Sequence, residues 1–290
     1  MLVADKWKEY KLLDMANGEK LEIWGKYKFL RPDPQIIWKN KNYPNIWNNI
    51  DAHYHRNNKG GGYWEYKKNI PETFVINYNN LKFKIGLMGF KHTGLFPEQA
   101  VNWDYFIDKI KNSKKHIKVL NLFAYTGGAT IACSYAGAEV VHVDSSKGMV
   151  MWAKDNLKLS GLENNKVRFI VDDCIKFVQR EIRRGNKYDA IIMDPPSYGR
   201  GSNGEVWDIE KDLFSLLELC NLLLSDNPLF VHINSYTTGL PMSILNNILK
   251  LTVGQKHKGI ISYDEIGIPM DNSDLILPCG VYGRWESNSE

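Results

Sequence analysis

Asp194 closes an apolar run that begins near Lys187, and Pro195, Pro196 and Ser197 follow it. Neither proline can donate a hydrogen bond, and each disfavours helix at the residue before it, so the chain is stiff and extended there. Such a segment displays a carboxylate and bare carbonyl oxygens, which are acceptors for an N–H-bearing group brought up to them. Seventy residues upstream, Val119 to Leu122 is another apolar run that breaks at Phe123, Ala124, Tyr125 and Thr126 into the pair Gly127-Gly128. Two residues without side chains let the backbone take turn dihedrals and let a ligand approach its N–H groups closely. A second acid, Asp144, follows Glu139 to Val143 about 20 residues after that turn, the place where a carboxylate in a βαβ unit hydrogen-bonds ribose hydroxyls.

An ordinary glycine-rich βαβ turn without a ligand is the plain alternative for the glycine pair alone. The spacing narrows the ligand. A dinucleotide fingerprint needs Gly-x-Gly-x-x-Gly, whereas here the glycines are adjacent and the next, Gly137, falls where the helix should close. No Gly-Lys-Ser/Thr follows, which removes a Walker phosphate loop as well. A ligand with ribose and no pyrophosphate remains, and S-adenosylmethionine fits that description. Lys166 to Val171 reads as a third strand, with Asp172, Asp173 and Cys174 at its end. A carboxylate or backbone group there can accept from an adenine amino group.

Taken together, Asn121 to Gly128, Val143 to Ser146, Asp194 to Gly199 and the upstream Thr93 to Gln99 resemble the class I S-adenosylmethionine-dependent methyltransferases. The similarity is closest to the branch of large-subunit rRNA methyltransferases that modify cytosine or guanine, and it covers roughly residues 90 to 290. It implies an α/β fold, a Rossmann-like seven-stranded sheet with a small β-rich N-terminal domain. It also implies that Phe123, Tyr125 and Gly127 line the methionine end of the cofactor, that Asp144 holds the ribose and Asp173 the adenine, and that Asp194 lies at the methyl-transfer centre. Thr126, Ser145 and Cys174 complete the expected cofactor contacts, and Asp194, Pro195, Pro196 and Ser197 the expected reaction centre.

The branch methylates by two routes, and the residues separate them. An amino-group reaction uses Asp194 and the Pro195 carbonyl as acceptors, with an aromatic ring on a flipped base. In this chain Ser197 stands where that aromatic usually falls, and Tyr198 follows it. Carbon-5 methylation of cytosine needs a cysteine nucleophile near the fourth or fifth strand end. Those places read Asp194 to Ser197 and Asn234 to Thr238, without cysteine. Cys133, Cys174, Cys220 and Cys279 are scattered, with no Cys-x-x-Cys pair, so neither a disulfide framework nor a zinc site is expected from them.

The charge balance is informative once divided. Residues 1–115 carry 20 Lys and Arg against 12 Asp and Glu, while the remainder carries 17 against 21. The first part also holds 20 of the 35 aromatics. Cations interleaved with rings suit a surface that contacts phosphates and stacks bases, so RNA, with rRNA favoured, is the expected partner. Aromatics filling a small β-core beneath solvating lysines are the equal alternative. Lys59, Lys67 and Lys68 are the expected phosphate contacts. A protein or small-molecule substrate, a cofactor-binding protein without catalysis and, distantly, an oxidoreductase are the competing functions. No apolar run approaches the ~20 residues of a membrane span, and the first residues lack a signal peptide's apolar region, so a cytoplasmic enzyme is expected.

These residues require a frame. A β-rich domain is expected over 1–90, a bridging segment with an amphipathic helix from Pro97 over 91–115, and the cofactor domain over 116–290. The alternation in Thr73 to Tyr78 and Leu81 to Ile85 around Asn79-Asn80 predicts a hairpin. Asn57 to Gly62 is expected as a loop, and Tyr198 to Trp207 as a flexible lid. Asp208 to Leu224 and Met242 to Leu251 read as helices, and Pro228 to Asn234 as a fifth strand. Two closing strands near 259–263 and 275–282, with no helix between them, predict an antiparallel addition to a parallel sheet. His53 and His55 alternate in a strand; a metal would need further ligands, and none is expected.

Overall fold

The computed structural model describes residues 1–57, 61–89, 91–201 and 204–288. It contains two compact units, one of residues 2–101 and 267–279 and the other of Met1, residues 102–266 and residues 280–290. Among the described residues no helix is long and apolar enough to cross a membrane.

After the short strand β1 (Leu2–Val3), the N-terminal unit is built on β2 (Tyr10–Ala16), β3 (Glu19–Trp24), β4 (Tyr27–Pro32), β5 (Ala52–Arg56) and β6 (Gly62–Tyr66), hydrogen-bonded in that order. The predicted hairpin is present as β7 (Thr73–Tyr78) and β8 (Leu81–Gly86), with Asn79 in the left-handed region its turn requires. Trp24, Phe29, Phe83 and Leu21 are fully buried, so a large share of the aromatics fills the core. Tyr63 and Tyr66 stand exposed. Asp14 fixes the long connection after β4. Its carboxylate accepts from the backbone N–H of Met15 and Tyr43, from both nitrogens of Asn42 and from Trp47 Nε1. Burial disfavours its charge, but these donors outweigh burial and hold its pKa below the ordinary carboxylate value. In the expected loop Asn57 to Gly62, residues 58–60, Lys59 among them, lie outside the described residues.

The second unit carries α1 (Ala100–Lys111), β9 (Lys118–Leu122), α2 (Gly128–Tyr135), β10 (Glu139–Asp144), α3 (Lys147–Leu159), β11 (Val167–Val171), α4 (Cys174–Arg183) and β12 (Ala190–Met193). It continues through β13 (Tyr198–Arg200), β14 (Val206–Asp208), α5 (Ile209–Leu223), β15 (Phe230–Ser235), α6 (Met242–Leu251), α7 (Val253–Lys256), β16 (Gly259–Pro269) and β17 (Ile276–Ser287). The main sheet of this unit runs β16-β17-β15-β12-β9-β10-β11, the seven expected strands. Parallel pairing holds from β11 to β15, and β17 runs antiparallel to β15, as the closing hairpin predicted.

Both faces of this sheet are covered, which is why its strands read as nearly continuous apolar runs rather than as alternation. Leu120, Leu122, Val143, Ile191, Met193 and Ile233 pack with Phe177, Leu213, Leu217 and Leu245 from α4, α5 and α6 on one face. Val119, Val140, Ala190, Ile192 and Phe230 pack with Phe106 and Cys133 from α1 and α2 on the other. Pro97 opens a short 3-10 turn that leads into α1. The segment expected as a flexible lid departs from the reading: β13 and β14 pair antiparallel, Tyr198 with Asp208 and Arg200 with Val206, although Ser202 and Asn203 lie outside the described residues.

Candidate functional site

The parallel register brings the candidate residues into one row. Val143, Leu122, Met193 and Ile233 are register partners across β10, β9, β12 and β15. The next residue of each chain is Asp144, Phe123, Asp194 and Asn234, so all four emerge together at the carboxyl edge of the sheet, where open α/β folds take ligands. Asn234 Nδ2 donates to Asp194 Oδ1 at 3.4 Å, which ties two neighbours of the row together.

The turn after β9 is held in an unusual conformation. Phe123, Tyr125 and Gly127 all have positive φ, at 53°, 50° and 84°, and only glycine adopts that region without cost. The surrounding residues over-determine this strain. Phe123 N donates to Cys174 Sγ at 3.3 Å, Ala124 N to the Val143 carbonyl at 3.0 Å, and Tyr125 N to Asp144 Oδ2 at 2.8 Å. The Thr126 carbonyl accepts from Asn156 Nδ2 at 2.8 Å, and the Gly127 carbonyl begins α2 by accepting from Ile131 N. A Cβ at Gly127 would come within 2.9 Å of the Ala153 Cβ, so α3 can lie this close only against glycine. At Gly128 a Cβ would meet the Trp103 ring at 2.8 Å. Beneath the turn, Thr130 Oγ1 joins Asn121 Nδ2 at 3.0 Å and His142 Nδ1 at 2.9 Å, both side chains buried. Burial pushes the His142 pKa down to about 3, so the ring is neutral.

Asp144 is half-buried, and its carboxylate accepts from the backbone N–H groups of Tyr125 and Ser146. Burial raises its pKa, and those two hydrogen bonds oppose the rise. A carboxylate so placed keeps lone pairs for hydroxyl donors. Adjacent hydroxyls of a ribose fit it, and the strained, fully pinned turn beside it offers close backbone approach. This set suits a nucleoside-bearing cofactor.

The remaining candidates fall into two groups. Asp173 caps α4, its Oδ1 accepting from Lys176 N at 2.9 Å, and Cys174 begins that helix with its thiol turned to Phe123. Ser145 is exposed in the turn after Asp144. At the other end, Pro195 is buried while Pro196 and Ser197 are exposed, and the Ser197 and Thr237 hydroxyls lie 2.7 Å apart. Trp207, expected only as the end of the lid segment, has a bridging role that the sequence did not show. Its Nε1 donates to the Pro196 carbonyl at 2.7 Å, and its ring packs on Phe123 at 4.8 Å, so one side chain connects the Asp-Pro-Pro turn to the glycine turn. Asn156, Asn234 and Thr237 were missed too, because no local pattern marks a residue whose partner lies 30 or more positions away.

Burial raises the pKa of Cys133, Cys174 and Cys220. All three are therefore thiols at neutral pH, unsuited to nucleophilic attack.

A model of S-adenosylmethionine-dependent methyltransferases matches residues 50–250. Over 148 residues the chain is 37% identical to the ribosomal RNA large subunit methyltransferase K/L of Shewanella frigidimarina, covering 50% of this chain and 20% of that protein. Over 192 residues it is 31% identical to the Shewanella baltica protein of the same name, covering 66% and 25%. The chain therefore spans a quarter or less of the length of these curated relatives. The crystal structure of the S-adenosylmethionine-dependent methyltransferase from Agrobacterium tumefaciens superposes with a TM-score of 0.93 at 34% identity, covering 99% of this chain and 93% of that one. The chain belongs to the S-adenosylmethionine-dependent methyltransferase family.

Proposed function

We propose that the chain methylates a base in RNA, with rRNA the favoured class. The observation that carries this reading is the name of its curated relatives, ribosomal RNA large subunit methyltransferases, together with the basic and aromatic first 115 residues. A cleft of about 520 Å³ in the N-terminal unit, lined in part by Lys8, Lys26, Tyr27 and Phe74, offers cations and rings on one surface. Lys26 Nζ lies 5.3 Å from the Tyr27 ring, which packs edge-on against Phe74 at 4.8 Å. Those are the parts that phosphate contact and base stacking require. Of the lysines first expected there, Lys67 is paired with Glu65 and Lys68 with Asp51, which makes them weaker candidates than Lys8 and Lys26.

In this reading Asp144 accepts from the ribose hydroxyls, Phe123, Tyr125, Thr126 and Gly127 form the wall of the cofactor site, and Ser145, Asp173 and Cys174 border it. S-adenosylmethionine supplies an electrophilic methyl on a sulfonium. Asp194 and the Pro195 carbonyl accept hydrogen bonds from the nucleophile, holding its lone pair in line with the bond that breaks, and positioning is the main part of the catalysis. Pro196 stiffens the segment, and Ser197, held by Thr237, borders the target.

The test is a filter-binding salt titration on total rRNA comparing wild type with Lys8→Ala/Lys26→Ala. Each lost phosphate contact should flatten the slope of log affinity against log salt by roughly 0.7 to 0.9, with S-adenosylmethionine affinity unchanged. A wild-type affinity that ignores salt would move the substrate to a protein or a small molecule.

A further inference from the structure

His53 and His55 lie two residues apart on β5 and therefore project from one face of the five-stranded sheet. Their rings are 3.9 Å apart between centroids. On β6, Glu65 is the register partner of His53, and its Oε2 lies 2.9 Å from His55 Nε2. From β3, Glu19 reaches the same face and places Oε1 2.6 Å from His53 Nε2. One donor atom from each of His53, His55 and Glu65 lies within 4.8 Å of the others. Two strands thus bring two imidazoles and one carboxylate to one spot, and Glu19 of β3 adjoins it through His53, far in sequence from the methyl-transfer residues.

The charge and the chemistry of this cluster are those of a cation site. Two carboxylates flank the two imidazoles, and Lys67 is paired with one of them, Glu65. Nitrogen and oxygen donors in this mixture match Zn²⁺, which takes four ligands tetrahedrally from His and Asp or Glu. The side chains are partly open, 19% and 33% exposed for the histidines and 31% and 40% for the glutamates, so an ion can enter from solvent. We propose that His53, His55, Glu65 and Glu19 form a divalent zinc-type metal site that staples β3, β5 and β6 of the N-terminal unit, with Lys67 as the cation it displaces.

The proposal is independent of the RNA reading and is tested without it. Purified full-length protein, stripped with a chelator, is titrated with Zn²⁺ against a chromophoric competitor, and with Co²⁺ while visible absorption is recorded. Wild type should bind one equivalent and give the intense d–d bands of four-coordinate Co²⁺. His53→Ala/His55→Ala should lose both signals while melting, in chelator, at the wild-type temperature. A second variant, Glu65→Gln, keeps the hairpin intact and should weaken Zn²⁺ by about tenfold or more. Lys67→Ala should tighten it. Absence of stoichiometric binding by wild type, or affinity unchanged in both the double variant and Glu65→Gln, overturns the site.

Discussion

Asp144 illustrates what a single residue does here. Its carboxylate orients the Tyr125 and Ser146 amides and still presents acceptor capacity at the sheet edge. Asp144→Ala should weaken S-adenosylmethionine binding by about 1.5 to 3 kcal/mol, the scale of hydrogen bonds to a charged acceptor, as read by calorimetry. An unchanged dissociation constant would remove it from the site. The cysteines make the opposite point. Each of Cys133, Cys174, Cys220 and Cys279 should tolerate Ser with methyl transfer retained. For Cys174 the reason is specific, since a serine hydroxyl can still accept from Phe123 N. A covalent adduct trapped through any of the four on RNA containing 5-fluorocytosine would contradict this.

At the scale of elements, the turn between β9 and α2 and the turn after β12 are coupled by Trp207, which sits on β14. Trp207→Phe keeps the ring against Phe123 and removes the donor to the Pro196 carbonyl. Its expected signature is a lower kcat with S-adenosylmethionine affinity within about twofold, because a single lost hydrogen bond of about 1 kcal/mol falls on the substrate side. A change confined to cofactor affinity would assign Trp207 to the cofactor wall instead. Several elements and their ends were legible in the sequence: the strand Glu139–Asp144 and the helix Met242–Leu251 have the predicted bounds, since apolar patterns are local signals. The β13–β14 pairing was not, because glycines, an arginine and scattered polar residues read as a loop whether or not the backbone pairs across it. For the same reason His53 and His55 were visible as an alternating pair, while Glu65 and Glu19 were not. Register and sheet order bring those carboxylates in.

For the molecule as a whole, the titrating groups set a pH dependence. His142 is buried and neutral with a pKa near 3, whereas an unfolded histidine titrates near 6.5. The unfolded chain therefore binds the proton first on acidification. Stability is full above about pH 6.5 and falls by up to ~1.4 kcal/mol per pH unit as the pH drops toward 3. His92, pushed down to about 4 by burial and then by Arg31 and Lys91, acts in the same direction. Urea midpoints measured from pH 7 to pH 4 should decline, and His142→Gln, although less stable at neutral pH, should decline less steeply. Parallel slopes would show that carboxylates such as Asp14, whose depressed pKa defers its loss to lower pH, govern acid unfolding instead.

Residues 267–279 belong to the compact unit formed by residues 2–101, although they lie between β16 and β17 positions of the other unit. There, Asp271 N donates to the Leu12 carbonyl at 2.7 Å and Met270 bridges to Leu12. The polypeptide crosses between units at 1/2, at 101/102, at 266/267 and again at 279/280. No single cut then yields two self-sufficient pieces. A fragment ending near residue 115 lacks a strip of its own packing, and one starting there carries that strip with nothing to pack it on. Recombination that swaps one part of this gene as a cassette is penalised at the level of folding, so the two units are expected to be inherited and to diverge as a pair.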